Sequence, residues 1–84
     1  MYKIIINKSV LKLLDKVPAV YLLKIKEAIN SMTYNPRPIG SVKLIGSENT
    51  WRIRVGVYRI IYTVNDNILT VQVIKIDHRS SVYK

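Results

Sequence analysis

Hydrophobic residues recur along this chain with two different periods, and the change of period divides it. Tyr2–Ile6 is a short β-branched run that reads as a strand. From Ser9 to Val17, the apolar residues Val10, Leu13, Leu14 and Val17 fall at helical spacing, with Asn7 or Ser9 available as N-cap. Pro18 interrupts that helix and suits the first turn of a second one, whose apolar stripe is Leu22, Ile25, Ala28, Ile29 and Met32. Asn35-Pro36-Arg37-Pro38 ends it, because a residue preceding proline is pushed out of the α region. A helical hairpin over residues 9–34 is the expectation.

From Val42 onward the period shortens. Val42–Ile45 is a strand candidate, followed by a Gly46-Ser47-Glu48-Asn49 loop. Thr50–Val55, Tyr58–Val64 and Ile68–Asp77 are rich in β-branched residues, and the breaks at Gly56-Val57 and Asp66-Asn67 suit two-residue hairpin turns. Neither an internal repeat nor a linker interrupts the chain. The expected architecture is α+β, one domain over residues 1–84: an N-terminal strand and an α-helical hairpin packed on one face of a small, mainly antiparallel β-sheet.

A two-residue turn at Gly56-Val57 fixes a register. Val55 then faces Tyr58, Arg54 faces Arg59, Ile53 faces Ile60 and Arg52 faces Ile61. Side chains alternate across a strand, so Arg52, Arg54 and Arg59 share one face, while Trp51, Ile53, Val55, Tyr58, Ile60 and Tyr62 share the other. Carried through Asp66-Asn67, the same count adds Leu69, Val71 and Val73 to the apolar face and Thr63, Thr70 and Gln72 to the arginine face. The apolar face packs on the helices, leaving the other open and basic.

Charge sharpens this picture. Fourteen Lys and Arg against five Asp and Glu leave a formal charge of +9 on 84 residues, an excess that a polyanion or an acidic partner would relieve. All five arginines lie at or beyond Arg37, whereas six of nine lysines precede residue 27. Lys8, Lys12 and Lys16 form one stripe on the first helix, which reads as a solvated face with contact to an acidic partner or an RNA backbone as the alternative. Two arginines directly opposite each other destabilise a strand pair by a few tenths of a kcal/mol up to ~1. This count places no acidic residue on their face, so the cluster points to an external anion, and the planar arginine fork suits phosphate. The same exposure implies that Arg59→Ala would leave the fold intact.

The tail adds His78, Arg79 and Tyr83 directly after the last strand. Taken singly, His78 reads as a surface histidine and Tyr83 as a packing anchor. Beside three arginines they make metal-free RNA cleavage conceivable, a reaction that needs a proton acceptor for the 2′-hydroxyl, cations for the phosphorane charge and a donor for the 5′-oxygen. Tyr or His can accept the proton and Arg can stabilise the charge. Other chemistries find no support. One histidine, no cysteine and scattered acids give no metal cluster, the three glycines are isolated, and no nucleophile elbow exists. The longest apolar run, seven residues from Val17 to Leu23, is too short for a membrane span. The apolar stretch at Ile4–Ile6 is too short for a signal peptide, so a cytoplasmic protein without membrane contact is expected.

The segments Asn35-Pro36-Arg37-Pro38-Ile39-Gly40, Lys43-Leu44-Ile45-Gly46, Trp51 through Tyr62, and His78-Arg79-Ser80-Ser81-Val82-Tyr83 resemble, in order and over the whole chain, the RelE branch of the RelE/ParE toxin superfamily. The resemblance implies a RelE-like, microbial-ribonuclease-like fold and a type II toxin that cuts mRNA in the ribosomal A site without metal or other cofactor. It implies that Arg52 and Arg54 hold phosphate, that Arg59 lies beside the scissile phosphate, and that Arg79 stabilises the leaving group or its charge. Tyr83 would stack on or deprotonate the nucleotide, with His78 the lesser candidate for base and Lys43 and Trp51 adding RNA contacts. Val57 departs from the polar residue frequent at that turn, and the Glu base of some relatives is missing. The implied partners are the ribosome, mRNA and a cognate antitoxin, acidic and partly disordered, with the free toxin a monomer. Two alternatives differ in class: a ParE-like toxin that inhibits DNA gyrase by binding it, and an RNA-binding module without chemistry.

Overall fold

The computed structural model describes residues 1–78. Its elements are β1 (Lys3–Ile6), α1 (Lys8–Leu14), α2 (Ala19–Ser31), β2 (Val42–Lys43), β3 (Thr50–Val55), β4 (Tyr58–Asn65) and β5 (Thr70–His78). The five strands form one sheet in the order β1-β5-β4-β3-β2. β2 to β5 are antiparallel neighbours, and β1 pairs parallel with β5 at the far edge. The chain therefore begins beside the strand with which the described part ends, and the two helices carry it from the β1 edge to the β2 edge, the first part of the long connection that a parallel pair requires.

Both helices form where the apolar spacing places them, and their ends show local competition. α1 stops at Leu14, three residues earlier than its hydrophobic stripe, because the chain tightens into a turn in which Lys16 and Val17 donate to the carbonyls of Leu13 and Leu14. Val17 stays buried all the same. Asn7 occupies the N-cap position with extended backbone but caps nothing with its side chain. Its Oδ1 accepts instead from Gln72 Nε2 at 2.7 Å, tying the start of α1 to β5. Pro18 sits one position before α2, and its carbonyl accepts from the amides of Tyr21 and Leu22.

The core lies between the helices and one sheet face. Val10, Leu14, Val17, Ile25, Ile29 and Met32 meet Ile60, Tyr62, Val64, Val71, Val73 and Ile76. At roughly 1.5–3 kcal/mol for each large apolar side chain removed from water, these contacts are the main stabilising term for so small a chain. Gly56, with φ of +61°, makes the tight β3–β4 turn, and a Cβ there would lie 3.1 Å from the Tyr21 ring. The turn is of two residues, and the pairs Val55–Tyr58, Arg54–Arg59, Ile53–Ile60 and Arg52–Ile61 are those the sequence predicts.

The β4–β5 connection corrects the sequence reading twice. Asp66-Asn67 is not a two-residue turn: Asn65 pairs with Thr70, leaving a four-residue loop. The Asn65 side chain accepts from the amides of Asn67 and Ile68, a local bond that stabilises the longer loop. Leu69, expected on the apolar face, lies in that loop with φ of +47° and is 45% exposed. The second correction is a β-bulge. Ile61 pairs with Lys75 and Tyr62 with Val73, so Ile74 has no partner on β4. One extra residue inverts every side chain beyond it. Ile76 thereby enters the core, and Lys75 and Asp77 turn to the opposite face. Among the described residues, no helix is long and apolar enough to cross a membrane.

Candidate functional site

The sheet face opposite the core is built in rungs. Arg54, Arg59 and Asp77 form the rung nearest the Gly56 turn. Val42, Arg52, Ile61 and Lys75 form the next, followed by Thr50, Thr63, Gln72 and Ile5. Neighbouring strands lie about 4.8 Å apart and alternate residues about 6.6 Å apart. Arg52, Arg54 and Arg59 therefore converge within the span of one or two phosphates. The structure brings these three predicted residues together.

Asp77 belongs to this cluster, and the sequence reading placed no acid there. Arg59 Nε donates to Asp77 Oδ1 at 3.1 Å, with both side chains only 13% exposed. The Lys75 ammonium lies 3.8 Å from the other Asp77 oxygen. Arg59 is thus not a side chain splayed into water, and the exposure from which its truncation is expected to spare the fold does not hold. Arg54 is exposed and Arg52 half-buried. The signal for Asp77 was present in Val71-Gln72-Val73-Ile74-Lys75-Ile76, where the apolar positions switch from odd to even numbers across the Val73-Ile74 pair.

Lys43, Trp51 and His78 stand elsewhere. Lys43 pairs with Trp51, which puts both on the helix-side face rather than with the arginines. His78 pairs with Tyr58, and its ring meets the Tyr58 ring edge-on at 5.4 Å, with Tyr21 a further 5.5 Å along. Beside them a groove of about 330 Å³ opens between α1 and the sheet, lined by Leu13, Lys16, Val17, Tyr58 and His78 among others. Arg79 and Tyr83 lie outside the described residues.

A second polar cluster fastens the loop after α2. Arg37 donates from both Nη atoms to Asp66, at 3.2 and 2.7 Å, while Tyr2 donates its hydroxyl to the same carboxylate at 2.6 Å. These bonds, Arg37's foremost, hold the Asp66 carboxyl below its ordinary pKa, and the bond to Asp66 raises the Tyr2 phenol. The Arg37 guanidinium also stands 5.3 Å over the Trp51 ring. Trp51 is therefore committed to holding this loop. Its buried Nε1 has no hydrogen-bond partner among the described residues. No group of three or more potential metal ligands occurs among them.

Residues 4–83 match the family model of the ParE toxin of the type II toxin–antitoxin system parDE. The chain belongs to the RelE/ParE toxin superfamily. It is 35% identical to the toxin RelE3 of Methanocaldococcus jannaschii over 96% of this chain and 94% of that protein. The archaeal RelE–RelB complex of Pyrococcus horikoshii contains a chain with a TM-score of 0.85 and 30% identity, covering 93% of this chain and 94% of its own. The isolated RelE toxin of E. coli has a TM-score of 0.81 at 26% identity, covering 99% and 92%. This RelE/ParE chain is a type II toxin with the expected α+β fold. Its arginine face carries a carboxylate in its midst.

Proposed function

We propose that this toxin is a ribosome-dependent endoribonuclease that cuts mRNA in the A site. The observation that carries the reading is the Arg54–Arg59 pair, held side by side on the sheet face opposite the core with Arg52 one rung away. Such an arrangement costs stability in the free protein and becomes favourable when a phosphodiester lies across it. In the reaction the 2′-hydroxyl loses its proton and its oxygen bonds to phosphorus. The P–O5′ bond then breaks and the 5′-oxygen takes up a proton, giving a 2′,3′-cyclic phosphate and a 5′-hydroxyl. Arg52 and Arg54 hold the phosphate, Arg59 stabilises the charge of the phosphorane, and Arg79 and Tyr83 serve the leaving group and the base. Before translation is attacked, a cognate acidic antitoxin covers the basic surface; relatives such as the Pyrococcus horikoshii RelE are known in complex with RelB.

Inhibition of DNA gyrase by binding is a second reading, favoured by the match to the ParE model and by the partial neutralisation of Arg59. Primer extension on a reporter mRNA in a reconstituted translation system separates the two. Ribosome-dependent cuts in register with codons, absent with Arg54→Ala, support the ribonuclease. Uncut message with continuing translation, together with loss of supercoiling activity when gyrase is added, supports the alternative. Arg54 is the better probe because it is exposed and, unlike Arg59, has no carboxylate partner to strand among the described residues.

A further inference from the structure

Asp77 reaches the arginine face through a specific device, the unpaired Ile74, and meets Arg59 on one particular atom. The bond is made to Nε, at 3.1 Å, on the side of the guanidinium away from its fork. That choice has a consequence for the other end. A carboxylate seated across both Nη groups would consume the two parallel donors that recognise phosphate, whereas one seated on Nε leaves them to an external anion. It also removes rotational freedom from a long side chain that would otherwise be repelled by Arg54 directly across the strand pair. With each partner only 13% exposed, the contact is well shielded from solvent. Lys75, 3.8 Å from the second oxygen, keeps the carboxylate from neutralising Arg59 alone.

We propose that Asp77 is a positioning residue for the toxin's phosphate site: by holding Arg59 through Nε, it turns the Nη fork toward Arg54 so that the two arginines clasp a single RNA phosphodiester. The proposal rests on the ribonuclease reading for its role in rate, and on phosphate binding alone for its role in geometry. The competing idea is that Asp77 is a plug that the RNA must displace. The two make opposite predictions, because removal of a positioner weakens the site and removal of a plug strengthens it.

The test uses the full-length toxin with Asp77→Ala and Asp77→Asn, each checked for an unchanged amide NMR fingerprint away from β5. The first readout is the Arg59 Nε–H resonance, which Asp77 should protect from exchange in the native protein and in Asp77→Asn, but not in Asp77→Ala. The second is affinity for a 2′-O-methyl oligoribonucleotide, which cannot be cut. Asp77→Ala should weaken it several-fold and Asp77→Asn should restore most of the loss, since an amide oxygen accepts the same bond. The third is ribosome-dependent cleavage, where Asp77→Ala should lower kcat about 10–100-fold with a smaller change in KM. If the native toxin binds the methylated RNA but cuts nothing, the ribonuclease reading fails while the affinity series still decides the inference. An Asp77→Ala protein that binds or cuts as well as the native one, or better, overturns it. So does an Arg59 Nε–H that exchanges alike in all three proteins, or a native toxin that does not bind the methylated RNA.

Discussion

Tyr62, fully buried in the centre of β4, donates its hydroxyl to the carbonyl of Pro36 at 2.7 Å. The sequence places Tyr62 in the core as an apolar ring, but its polar tip fixes the loop between α2 and β2. Burial raises its phenol pKa, so the neutral hydroxyl persists well into alkaline solution. Tyr62→Phe leaves the Pro36 carbonyl without this donor. The expected loss is about 1–3 kcal/mol, read as a fall of several degrees in the thermal midpoint. An unchanged midpoint would mean that the bond contributes nothing net.

The Arg54 and Arg59 positions should respond oppositely in stability although both face the same site. Arg54→Ala removes an exposed charge from a like-charged pair, so the urea midpoint should stay the same or rise slightly, by no more than the ~1 kcal/mol such pairs cost. Arg59→Ala strands Asp77 at 13% exposure and should cost about 1–3 kcal/mol. Chemical denaturation of both variants checks this, and equal midpoints would contradict the ion pair as a stabilising contact. Both variants should lose mRNA cleavage.

Much of this contrast could be read before any coordinates. The two-residue turn at Gly56 made the β3–β4 register countable, and with it the opposition of Arg54 and Arg59. The helical stripes were legible because Ile25, Ile29 and Met32 face one side only. What escaped was everything downstream of local backbone chemistry. The bond from Asn65 to its neighbours lengthened one turn, and one unpaired residue at Ile74 moved Asp77 across the sheet. Lys43 has no pairing to count from in the sequence, whereas the Gly56 register already puts Trp51 on the apolar face; the edge strand sets Lys43 beside it, away from the arginines. The parallel pairing of β1 with β5 joins the two ends of the described chain, a contact that no short-range pattern carries.

Acid should loosen the loop that Arg37 anchors. The Asp66 carboxyl has a pKa lowered chiefly by Arg37 and then by Tyr2. A group with a depressed folded-state pKa contributes fully above its ordinary value, near 4, and that contribution is lost as pH falls through the lowered one. Trp51 lies under the Arg37 guanidinium and reports the change. Its fluorescence should show a transition below about pH 4 that is missing in Asp66→Asn. The same transition in both proteins would assign it to other carboxylates.

Replacing Gly56 should disturb the core as well as the backbone. All three glycines have positive φ, which strains an L side chain at each, but at Gly56 a Cβ would also press on Tyr21 at 3.1 Å, whereas Gly40 and Gly46 have open space around them. Gly56→Ala is expected to cost about 1–2 kcal/mol. The displaced Tyr21 ring should shift the Tyr58 and His78 resonances through the edge-to-face chain that joins them. Silent aromatic resonances would show that the turn absorbs the methyl group without passing the strain inward.

The extra residue at Ile74 makes the far end of β5 a place where counting matters more than chemistry. Deleting one residue from Val73 to Lys75 would leave inward and outward residues in strict alternation, with Ile76 still inside and Asp77 still beside Arg59, and would remove only the bend that the bulge imposes. Across descendants of this chain, a strand shorter by that one residue should therefore keep the same inside and outside, so that the bulge can be lost or regained while the arginine face persists.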